Sequence, residues 1–402
     1  MKYDCVIIGA GLAGLSCAHN LSKAGKKILV LDKNSHVGGR LQSIVYNNTY
    51  IVDQGFQTVL SSYEELKNLD LDDDLKLHTF NSGALIYDGT NFNLLANPFC
   101  HLSAVLETLS NSSIHLKDYS SLFKLTFQSI FRSYLKNHKQ TTHDLLESLN
   151  FSEPFNKNFL RPFFSGVFLD KKLNYDSDYF LFLFKNFLIG RVTLPEYGIQ
   201  SLPEKIAKPF INNVKLNTDV VSWNSKLVIT GQYEKIETEQ VVCAFDTQSA
   251  DRKYNAATTY YFSVSKSTKS LSHKWIVLIP ETLNLKINHV VNLSQVNPNY
   301  SRSNEDLISV SVLDSGTTTT EEIQSQLSQI FKDADFKFVT KTFVAKALPA
   351  SDILNTYAEI VDDIIYCGDH LANPSINGAL KSGRIAANLV LGRIYYNNQK
   401  FA

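Results

Sequence analysis

The sequence predicts an α/β protein, because a strand, a glycine turn and a helix open the chain and a second strand follows. Residues 6–8 are apolar and strand-like, residues 15–24 have helical character, and glycines occupy the first, third and sixth positions of the turn between them. In such a turn Gly9 permits the sharp bend, Gly11 lets backbone amides approach a phosphate, and Gly14 lets the helix pack against the strand. The pattern therefore predicts a site for a nucleotide pyrophosphate.

The residues after the turn complete a dinucleotide site. Leu12 and Ala13 begin the helix, whose free N–H groups and partial positive charge attract an anion. Residues 27–31 form a second predicted strand, and Asp32 and then Lys33 follow its end, about 20 residues past the glycines. A carboxylate at that place accepts hydrogen bonds from the ribose hydroxyls of an adenosine and repels a 2′-phosphate. Phosphorylated nicotinamide cofactors are therefore disfavoured.

A second glycine pair introduces a cation. Gly38 and Gly39 precede Arg40, and a guanidinium pairs with phosphate oxygens in a fixed fork. The alternative for Arg40 is a solvated position in a loop. We expect Gly39 and Arg40 to contact the pyrophosphate.

These motifs resemble the start of flavin-dependent amine oxidases, phytoene desaturases and protoporphyrinogen oxidases. Near the C-terminus, residues 364–367 form an apolar run that ends in Gly368 and Asp369. That segment resembles the second flavin contact of the same superfamily, in which the aspartate meets the ribityl chain. The resemblance implies a Rossmann-like domain that binds FAD.

The resemblance also implies cofactor contacts from two further segments. The helix predicted after Asp369 would direct its N-terminal amides at the flavin or its pyrophosphate, with contacts from Ile376, Asn377 and Ala379. Small residues at Gly378, Ala379 and Gly383 are expected to permit that approach. Val220 is assigned the family's backbone contact to the adenine, with an ordinary core valine as the alternative.

Composition fits an ordinary soluble enzyme. The 402 residues can bury a large core and form two domains. Lys and Arg together number 39, as do Asp and Glu, so the net charge is zero and no basic footprint for nucleic acid is present. The five cysteines are scattered without a C-x-x-C pair, which predicts reduced thiols, a cytoplasmic protein and no metal site. No apolar run is long enough to span a bilayer.

The two flavin motifs lie at opposite ends of the chain, so the FAD-binding domain is predicted to be discontinuous. We assign it residues 1–58, 203–253 and 345–402. Residues 59–202 and 254–344 form the predicted inserted α+β substrate domain.

Local patterns predict individual elements of both domains. Phe- and Leu-rich helices are expected at residues 120–136 and 178–189, and an amphipathic helix at residues 321–331. Strands of the FAD-binding domain are expected at residues 214–223, 227–230 and 240–244, and alternating strands of the substrate domain between residues 256 and 313.

Catalytic side chains are few in such enzymes, because the flavin performs the redox chemistry. The resemblance places Gly55 and Phe56 at the flavin face, and Gln54 or Gln57 would contact the ring or the substrate. Each glutamine is equally consistent with a satisfied polar residue at a strand end. Lys346 is a candidate substrate or flavin contact, with a solvated lysine as the alternative.

Several features separate the branches of the superfamily. Amine oxidases commonly carry a lysine in the substrate sheet, and its counterpart here falls near Ala257 or Thr258. Residues 371–375 lack the aromatic side chain that those enzymes tend to place before the C-terminal helix, and no cysteine stands in the context of covalent flavin attachment. These departures weaken amine oxidation and predict non-covalent FAD.

The desaturase branch agrees better with the sequence. Residues 159–169 resemble the segment that lines the substrate cavity in carotenoid-desaturase-like proteins. Apolar side chains of the two Phe-rich helices would extend that lining, or else form ordinary core: Leu122, Phe123, Leu125, Phe127, Ile130, Phe131, Tyr134, Phe180, Leu181, Phe182, Leu183, Phe184 and Phe187.

The sequence thus predicts an FAD-dependent oxidoreductase that abstracts hydride from a C–H bond of an apolar, isoprenoid-like substrate, with quinone or oxygen as electron acceptor. Protoporphyrinogen or amine oxidation is the alternative within the enzyme class. A non-redox flavoprotein, such as a carotenoid isomerase, or a partner-binding flavoprotein is the alternative of another class. The apolar helices also predict peripheral contact with a membrane surface that supplies the substrate.

Overall fold

Two large β-sheets organise the chain, and the candidate site has walls from both. The computed structural model describes residues 2–69, 75–97, 114–131, 140–314, 316–350 and 356–393.

The strands are, in chain order, β1 (Tyr3–Ile8), β2 (Ile28–Leu31), β3 (Ser43–Tyr46), β4 (Tyr50–Asp53), β5 (Val59–Leu60), β6 (Leu77–Thr79), β7 (Gly83–Tyr87), β8 (Phe92–Ala96), β9 (Val192–Pro195), β10 (Val214–Lys215), β11 (Val220–Trp223), β12 (Leu227–Thr230), β13 (Lys235–Cys243), β14 (Tyr254–Ser265), β15 (Ile276–Leu278), β16 (Ile287–Asn292), β17 (Glu305–Val312), β18 (Lys337–Pro349), β19 (Ala358–Val361) and β20 (Ile364–Cys367).

The helices are α1 (Leu12–Lys23), α2 (Glu64–Asn68), α3 (Leu116–Phe131), α4 (Thr142–Ser148), α5 (Glu153–Phe155), α6 (Arg161–Phe168), α7 (Ser177–Ile189), α8 (Ser201–Ala207), α9 (Leu293–Val296), α10 (Thr320–Ile330) and α11 (Ile376–Val390). A π-helical turn, Asn156–Leu160, joins α5 to α6, and short 3₁₀ turns occur at Lys208–Asn213, Lys269–Leu271, Glu281–Leu283, Pro298–Tyr300 and Asp369–Leu371.

The first sheet has the order β10-β2-β1-β13-β12-β11, and β20 pairs with β13 and with β19. Strands β10, β2, β1, β13 and β20 are parallel, whereas β11, β12 and β19 pair antiparallel. The apolar residues of β1 and β2 are almost all buried, as expected of a parallel sheet covered on both faces. The sheet collects its strands from three separate parts of the chain.

Residues 214–223, predicted as one strand, form β10 and β11 with a turn between them. Asn217 adopts a left-handed conformation with φ of 51°, and Thr218 N donates a hydrogen bond to Asp32 O at 2.8 Å. This turn takes the chain from the parallel edge beside β2 to antiparallel pairing with β12. The prediction of a continuous strand was wrong, because a left-handed residue interrupts a ladder.

Most other predicted elements are present with shifted ends. The helix expected at residues 120–136 is α3, which begins at Leu116; residues 132–139, with Tyr134, lie outside the described residues. Helices α7 and α10 occupy the other two predicted places, and α10 buries Ile323, Leu327 and Ile330. Strand β13 starts at Lys235, before the predicted residue 240.

The second sheet has the order β18-β14-β17-β16-β15-β7-β8, and all neighbours are antiparallel except β15 and β7. The register of this sheet aligns one residue from each of five neighbouring strands in a row across the sheet. The residues of this row lie opposite one another and therefore share a face of the sheet: Leu278, His289, Ser311, Thr259 and Thr342.

Helices α3 to α7 form an aromatic layer beside this sheet, with Phe155, Phe164, Phe168 and Phe180 in its core. In the part of the chain that the structure describes, no helix combines the length and the apolar character that crossing a membrane requires. The predicted α/β fold, a Rossmann-like unit with an α+β unit, is confirmed. The positions of the domain boundaries stay predictions.

Candidate functional site

The glycine turn between β1 and α1 has the geometry of a phosphate cradle. Gly9 has a φ of +106°, which favours glycine. A Cβ atom on Gly11 would meet nothing within 4 Å, whereas a Cβ atom on Gly14 would lie 1.9 Å from Gly9 O. Gly11 therefore borders open space that a side chain would fill, and Gly14 permits close packing of the helix against the turn.

Asp32 faces this turn from the end of β2. Its Oδ2 accepts a hydrogen bond from Ala10 N at 2.6 Å, and its Oδ1 accepts hydrogen bonds from the backbone and side-chain nitrogens of Asn34. These bonds fix a buried carboxylate beside the glycine turn. Its remaining lone pairs are in place for ribose hydroxyls.

Arg40 and Asp369 join the N-terminal motif to the C-terminal one. Arg40 Nη2 donates to Asp369 Oδ1 at 2.5 Å, and Arg40 Nη1 donates to Ala347 O at 2.9 Å. The arginine side chain is 39% exposed, and the aspartate side chain is 10% exposed. A guanidinium and a carboxylate therefore lie side by side in the wall of one cavity.

The start of α11 closes the same part of the cavity. Ser375 caps the helix by accepting a hydrogen bond from Gly378 N at 3.0 Å, and Ile376 and Ala379 line the cavity. Asn377 does not line it, because its Oδ1 accepts a hydrogen bond from Glu65 N at 3.1 Å.

Two glycines of α11 serve packing rather than the cavity. A Cβ atom on Gly378 would lie 1.8 Å from Asn373 O, and one on Gly383 would lie 2.0 Å from Ala13 O. Protein backbone occupies the space that these two glycines leave, and their expected role in the approach to the flavin stays a prediction. Gly383 instead lets α11 approach α1.

The segment after β4 forms another wall and is held from beneath by the second sheet. Gly55, with a φ of +88°, donates from its N–H to Thr342 Oγ1 at 3.1 Å, and Phe56 N donates to Thr259 Oγ1 at 3.2 Å. Gln57 Nε2 donates to Arg40 O at 2.9 Å and to a neighbouring carbonyl. Gln57 is therefore a satisfied polar residue that also lines the cavity.

Asp53 anchors this segment. Its carboxylate accepts hydrogen bonds from Tyr300 Oη at 2.6 Å, from Ser43 Oγ at 2.5 Å and from Ile199 N at 3.1 Å. Burial raises the pKa of Asp53 to about 6, although these three hydrogen bonds act in the opposite direction.

Lys346 lies at the polar wall near the end of β18. Its Nζ donates to Ser249 O at 2.6 Å and stands 5.8 Å from the centre of the Tyr254 ring. Tyr254 Oη in turn donates to Asp246 Oδ2 at 2.8 Å, and Arg252 Nε donates to the same oxygen at 2.9 Å. The lysine already has a backbone partner, and a contact with flavin or substrate stays a prediction.

A cavity of about 1290 Å³ connects all these walls. Typical small-molecule pockets measure roughly 300–1,000 Å³, so this cavity has room for a dinucleotide and a second molecule. It is lined by the three catalytic candidates, Gln54, Gln57 and Lys346, and by most of the predicted cofactor contacts: Gly9, Gly11, Leu12, Ala13, Asp32, Lys33, Gly39, Arg40, Gly55, Phe56, Val220, Gly368, Asp369, Ile376 and Ala379. Gly14 and Asn377 lie outside the lining. The glycine cradle, the acid at the strand end and the Arg40–Asp369 pair fit FAD.

Aromatic side chains form the remaining wall. The segment predicted to line a substrate cavity contributes Phe159, Phe163, Phe164, Gly166, Val167 and Leu169, and the two helices contribute Leu122, Phe123, Leu183, Phe184 and Phe187. The other described members of the predicted lining lie in the core or at the outer surface: Leu125, Phe127, Ile130, Phe131, Phe180, Leu181 and Phe182. Only part of the predicted set therefore lines the cavity.

Sequence patterns did not indicate three polar residues of the lining, Asp246, His289 and His370. Asp246 follows the end of β13 and His289 lies within β16, both without a motif around them, whereas His370 directly follows the Gly368–Asp369 pair. A polar residue that interrupts an apolar strand was the available signal at His289. Burial lowers the pKa of His289 to about 4.

Comparison with known proteins agrees with this geometry. The profile of the family described as "Flavin containing amine oxidoreductase" matches residues 12–254, more than half of the chain. A phytoene desaturase from Fusarium fujikuroi is 44% identical over 55 residues, which are 14% of this chain and 10% of that protein. A 1-hydroxycarotenoid 3,4-desaturase from a Flavobacterium species is 27% identical over 218 residues, 53% of this chain and 37% of its own.

A probable flavin-containing monoamine oxidase A from Dictyostelium discoideum is 32% identical over 120 residues, 27% of this chain and a quarter of that protein. Each of these matches spans well under two thirds of the relative's length.

Solved structures share the fold at low identity. Putrescine oxidase with bound putrescine superposes with a TM-score of 0.69 at 15% identity, over 98% of this chain and 100% of that one. Reduced UDP-galactopyranose mutase gives a TM-score of 0.70 at 13% identity, over 98% of this chain and 96% of that one. The predicted superfamily and FAD as the cofactor are confirmed. The chain belongs to the flavin containing amine oxidoreductase family.

Proposed function

We propose that this protein is an FAD-dependent dehydrogenase that introduces a double bond into an apolar, isoprenoid-like substrate. The observation that carries the proposal is the aromatic wall, which shares one cavity with the residues that fit FAD. Because the two walls belong to one space, an apolar molecule on the aromatic side would be adjacent to the cofactor.

The aromatic wall is a connected series of rings. The ring centres of Phe155 and Phe159 are 5.4 Å apart, those of Phe159 and Phe163 are 5.8 Å apart, and those of Phe163 and Phe187 are 5.0 Å apart. All four side chains line the cavity. Such rings offer large apolar contact area with little conformational freedom to lose. An elongated hydrocarbon fits this surface better than a small polar molecule.

The distribution of charge disfavours an amine as the substrate. The carboxylates of the described lining are Asp32, Asp219, Asp246 and Asp369, and none of them belongs to the aromatic helices. Asp246 and Asp369 are already paired with Arg252 and Arg40. A cationic amine on the aromatic side would therefore lack a counter-ion, and burial of an unpaired charge is costly.

The substrate sheet offers no lysine at the place where amine oxidases commonly have one. Ala257 lines the cavity there, and Thr258 Oγ1 donates instead to Asp314 Oδ1 at 2.7 Å. This observation also favours the proposed dehydrogenation over amine oxidation.

The chain's own residues would bind and orient the substrate and shield it from solvent water. Bound FAD supplies a two-electron acceptor for hydride. The substrate would lose a hydride from one carbon to the FAD and a proton from the next carbon to solvent water, so that a C=C bond forms. Two electrons and two protons would then pass to a quinone, giving a quinol, or to oxygen, giving hydrogen peroxide. The aromatic wall excludes water and presents the C–H bond to the cofactor side of the cavity.

We further propose that the FAD is held without a covalent bond. The cysteines that the structure describes are Cys5, Cys17, Cys243 and Cys367, and all are buried outside the cavity lining. Burial raises the pKa of each of these thiols, which keeps them protonated and unreactive. Cys100 lies outside the described residues.

We also propose that α3 docks the protein on a membrane from which the substrate enters. Leu116 is 90% exposed and Phe123 is 73% exposed, and the same face continues through Tyr119, Phe127, Ile130 and Phe131. The charged side chains that α3 exposes are Lys117 and Lys124, whereas Asp118 is buried against Ser152. An apolar stripe with cations suits an anionic lipid surface, and Tyr119, Leu122 and Phe123 also line the cavity.

Product analysis tests the proposed reaction. FAD-loaded protein is mixed with a quinone in every reaction. Each reaction then receives one candidate substrate: an acyclic isoprenoid polyene, a porphyrinogen or an amine. The expected result is a product of the polyene that has lost two hydrogens. A product of unchanged mass would indicate isomerisation, and oxidation of the porphyrinogen or amine alone would replace the proposal with the alternative oxidase.

A further inference from the structure

One buried polar atom in the cavity wall lacks a partner among the described residues. His289 lies on β16, lines the cavity and is only 6% exposed, and its Nε2 makes no hydrogen bond there. Buried polar atoms are nearly always hydrogen-bonded. An unpartnered atom on a residue that borders a ligand cavity therefore indicates a group that the ligand brings.

The hydrogen bonds around His289 show whether Nε2 is a donor or an acceptor, and therefore which kind of ligand group can pair with it. Asn288 Nδ2 donates to Pro162 O at 3.1 Å, so Asn288 Oδ1 faces His289 Nδ1, 2.8 Å away, and accepts from it. Nδ1 thus carries the proton, and Nε2 presents a lone pair. Because burial holds the pKa of His289 near 4, the ring stays neutral at neutral pH and Nε2 remains an acceptor.

The row of side chains across the second sheet gives a second, independent observation. Thr342 and Thr259 accept hydrogen bonds from Gly55 N and Phe56 N. These two residues of the row therefore support the segment that follows β4. Its next polar members, Ser311 and His289, are directly paired across β17 and β16. Ser311 Oγ also has no partner among the described residues. Of the polar members of this row, His289 is the one that lines the cavity.

Phe56 and helix α6 also confine the ring of His289. The rings of Phe56 and His289 meet edge to face with centres 5.0 Å apart. A Cβ atom on Gly166 of α6 would lie 2.6 Å from Asn288 Oδ1 and 3.2 Å from His289 Nδ1. The absence of a side chain at Gly166 therefore lets α6 pack closely against Asn288 and His289. The imidazole is thereby held in one orientation at the edge of the aromatic wall.

We infer that His289 is a specificity-determining residue that accepts a hydrogen bond from a hydroxyl group of an otherwise apolar substrate. The inference deepens the proposed function and rests on it, since the apolar substrate is the one proposed above. A hydroxyl group satisfies the free atom, because it donates a hydrogen bond to His289 Nε2. An ether or a plain hydrocarbon leaves the histidine unsatisfied.

A matched pair of probes tests this inference. Farnesol and farnesyl methyl ether differ in the hydrogen-bond donor but share the apolar chain. Their affinities for the FAD-loaded full chain are measured by titration of the flavin difference spectrum. We expect wild type to bind the alcohol about tenfold more tightly than the ether, the effect of one net hydrogen bond in a buried site.

Substitutions assign that preference to the histidine. His289→Phe keeps a ring but removes the acceptor, so the two affinities should become equal while the ether affinity changes less than about twofold. His289→Gln retains an acceptor oxygen and should keep part of the preference. Phe187→Leu, a control elsewhere in the lining, should weaken both probes alike. Flavin content and melting temperature show that each variant is folded.

Three outcomes would overturn the inference: equal affinities in wild type, an undiminished preference in His289→Phe, or no binding of either probe. Equal affinities would also mean that a water molecule, rather than a ligand hydroxyl, satisfies Nε2. Anaerobic reduction of the flavin separates this test from that of the proposed function. Reduction by a polyene without a preference for the alcohol refutes the role of His289 alone, whereas the preference without reduction by any polyene refutes the dehydrogenase.

Discussion

Arg40 Nη2 and Asp369 Oδ1 lie 2.5 Å apart, although the two residues are separated by 329 positions in the chain. The contact joins the second glycine pair, Gly38 and Gly39, which follows β2, to the glycine–acid pair that follows β20. Both side chains line the cavity that fits FAD. The pair therefore holds together the two halves of the cofactor site and gives the arginine a fixed direction.

Removal of the carboxylate should weaken the cofactor more than the fold. In Asp369→Asn, Arg40 loses its ion pair but keeps its hydrogen bond to Ala347 O. We expect FAD to bind about tenfold more weakly, as for loss of a charge-assisted hydrogen bond. Ultrafiltration of the released flavin and the melting temperature of the apoprotein provide the measurement. Asp333→Asn, at a carboxylate bonded to Ser270 away from the cavity, is the matched control and should retain FAD as wild type does. Equal flavin retention in Asp369→Asn and wild type would refute the role of Asp369.

A side chain at Gly11 should block the pyrophosphate without harm to the fold. The space beside Gly11 is open, and its φ of −71° suits any residue, so Gly11→Val should fold with a melting temperature close to that of the wild-type apoprotein. Its flavin content should fall to a few per cent or less. Gly231→Val, at another glycine with only ordinary contacts, serves as the control. A Gly11→Val protein that purifies with a full complement of flavin would place the cofactor elsewhere.

Asp53 should make stability depend on pH. Burial raises its folded pKa to about 6, above the ordinary value of 3.8, so the folded protein binds this proton more tightly than the unfolded chain does. The resulting stabilisation is fully present below the unfolded pKa and is lost as the pH rises through about 6. Between about pH 5 and about pH 7.5, wild type should lose roughly 1 kcal/mol relative to Asp53→Asn. Urea unfolding of the two apoproteins at both pH values measures this difference, and parallel changes in both proteins would contradict it.

The exposed stripe of α3 should control membrane binding. We expect the triple variant Leu116→Gln, Phe123→Gln, Phe127→Gln to lose most of its binding to vesicles that contain anionic lipid, because it removes the apolar contact area. Its melting temperature should change little, since these side chains are largely exposed. Co-sedimentation with vesicles is the assay. The control variant Val221→Gln, Tyr233→Gln changes two exposed apolar residues elsewhere and should bind like wild type. Unaltered binding of the triple variant would exclude α3 as the docking surface.

The fold and most of the cofactor site were predicted from local sequence motifs. The turn at Gly9, the acid at Asp32 and the pair at Gly368 and Asp369 each need only a few neighbouring residues, so a sequence shows them directly. Spacing within one motif does not tell which way a small residue faces. The sequence therefore did not show that Gly378 and Gly383 face protein backbone, whereas Gly14 packs as its motif requires.

Contacts that depend on strand register could not be predicted. His289, Ser311 and Thr259 come from three strands, and their alignment follows from the pairing of β16, β17 and β14. A shift of register by one residue would send each side chain to the other face. The same long-range packing brings Lys346 to Ser249. It also decides which side chains of the Phe-rich helices line the cavity and which lie in the core or at the surface.

The proposed dehydrogenation is tested by the anaerobic absorption spectrum of the FAD-loaded protein before and after addition of an acyclic isoprenoid polyene. We expect the oxidised flavin bands to bleach with the polyene, to stay unchanged with a primary amine, and to return when quinone is added. Bleaching by the amine alone, or no bleaching by any polyene, would contradict it.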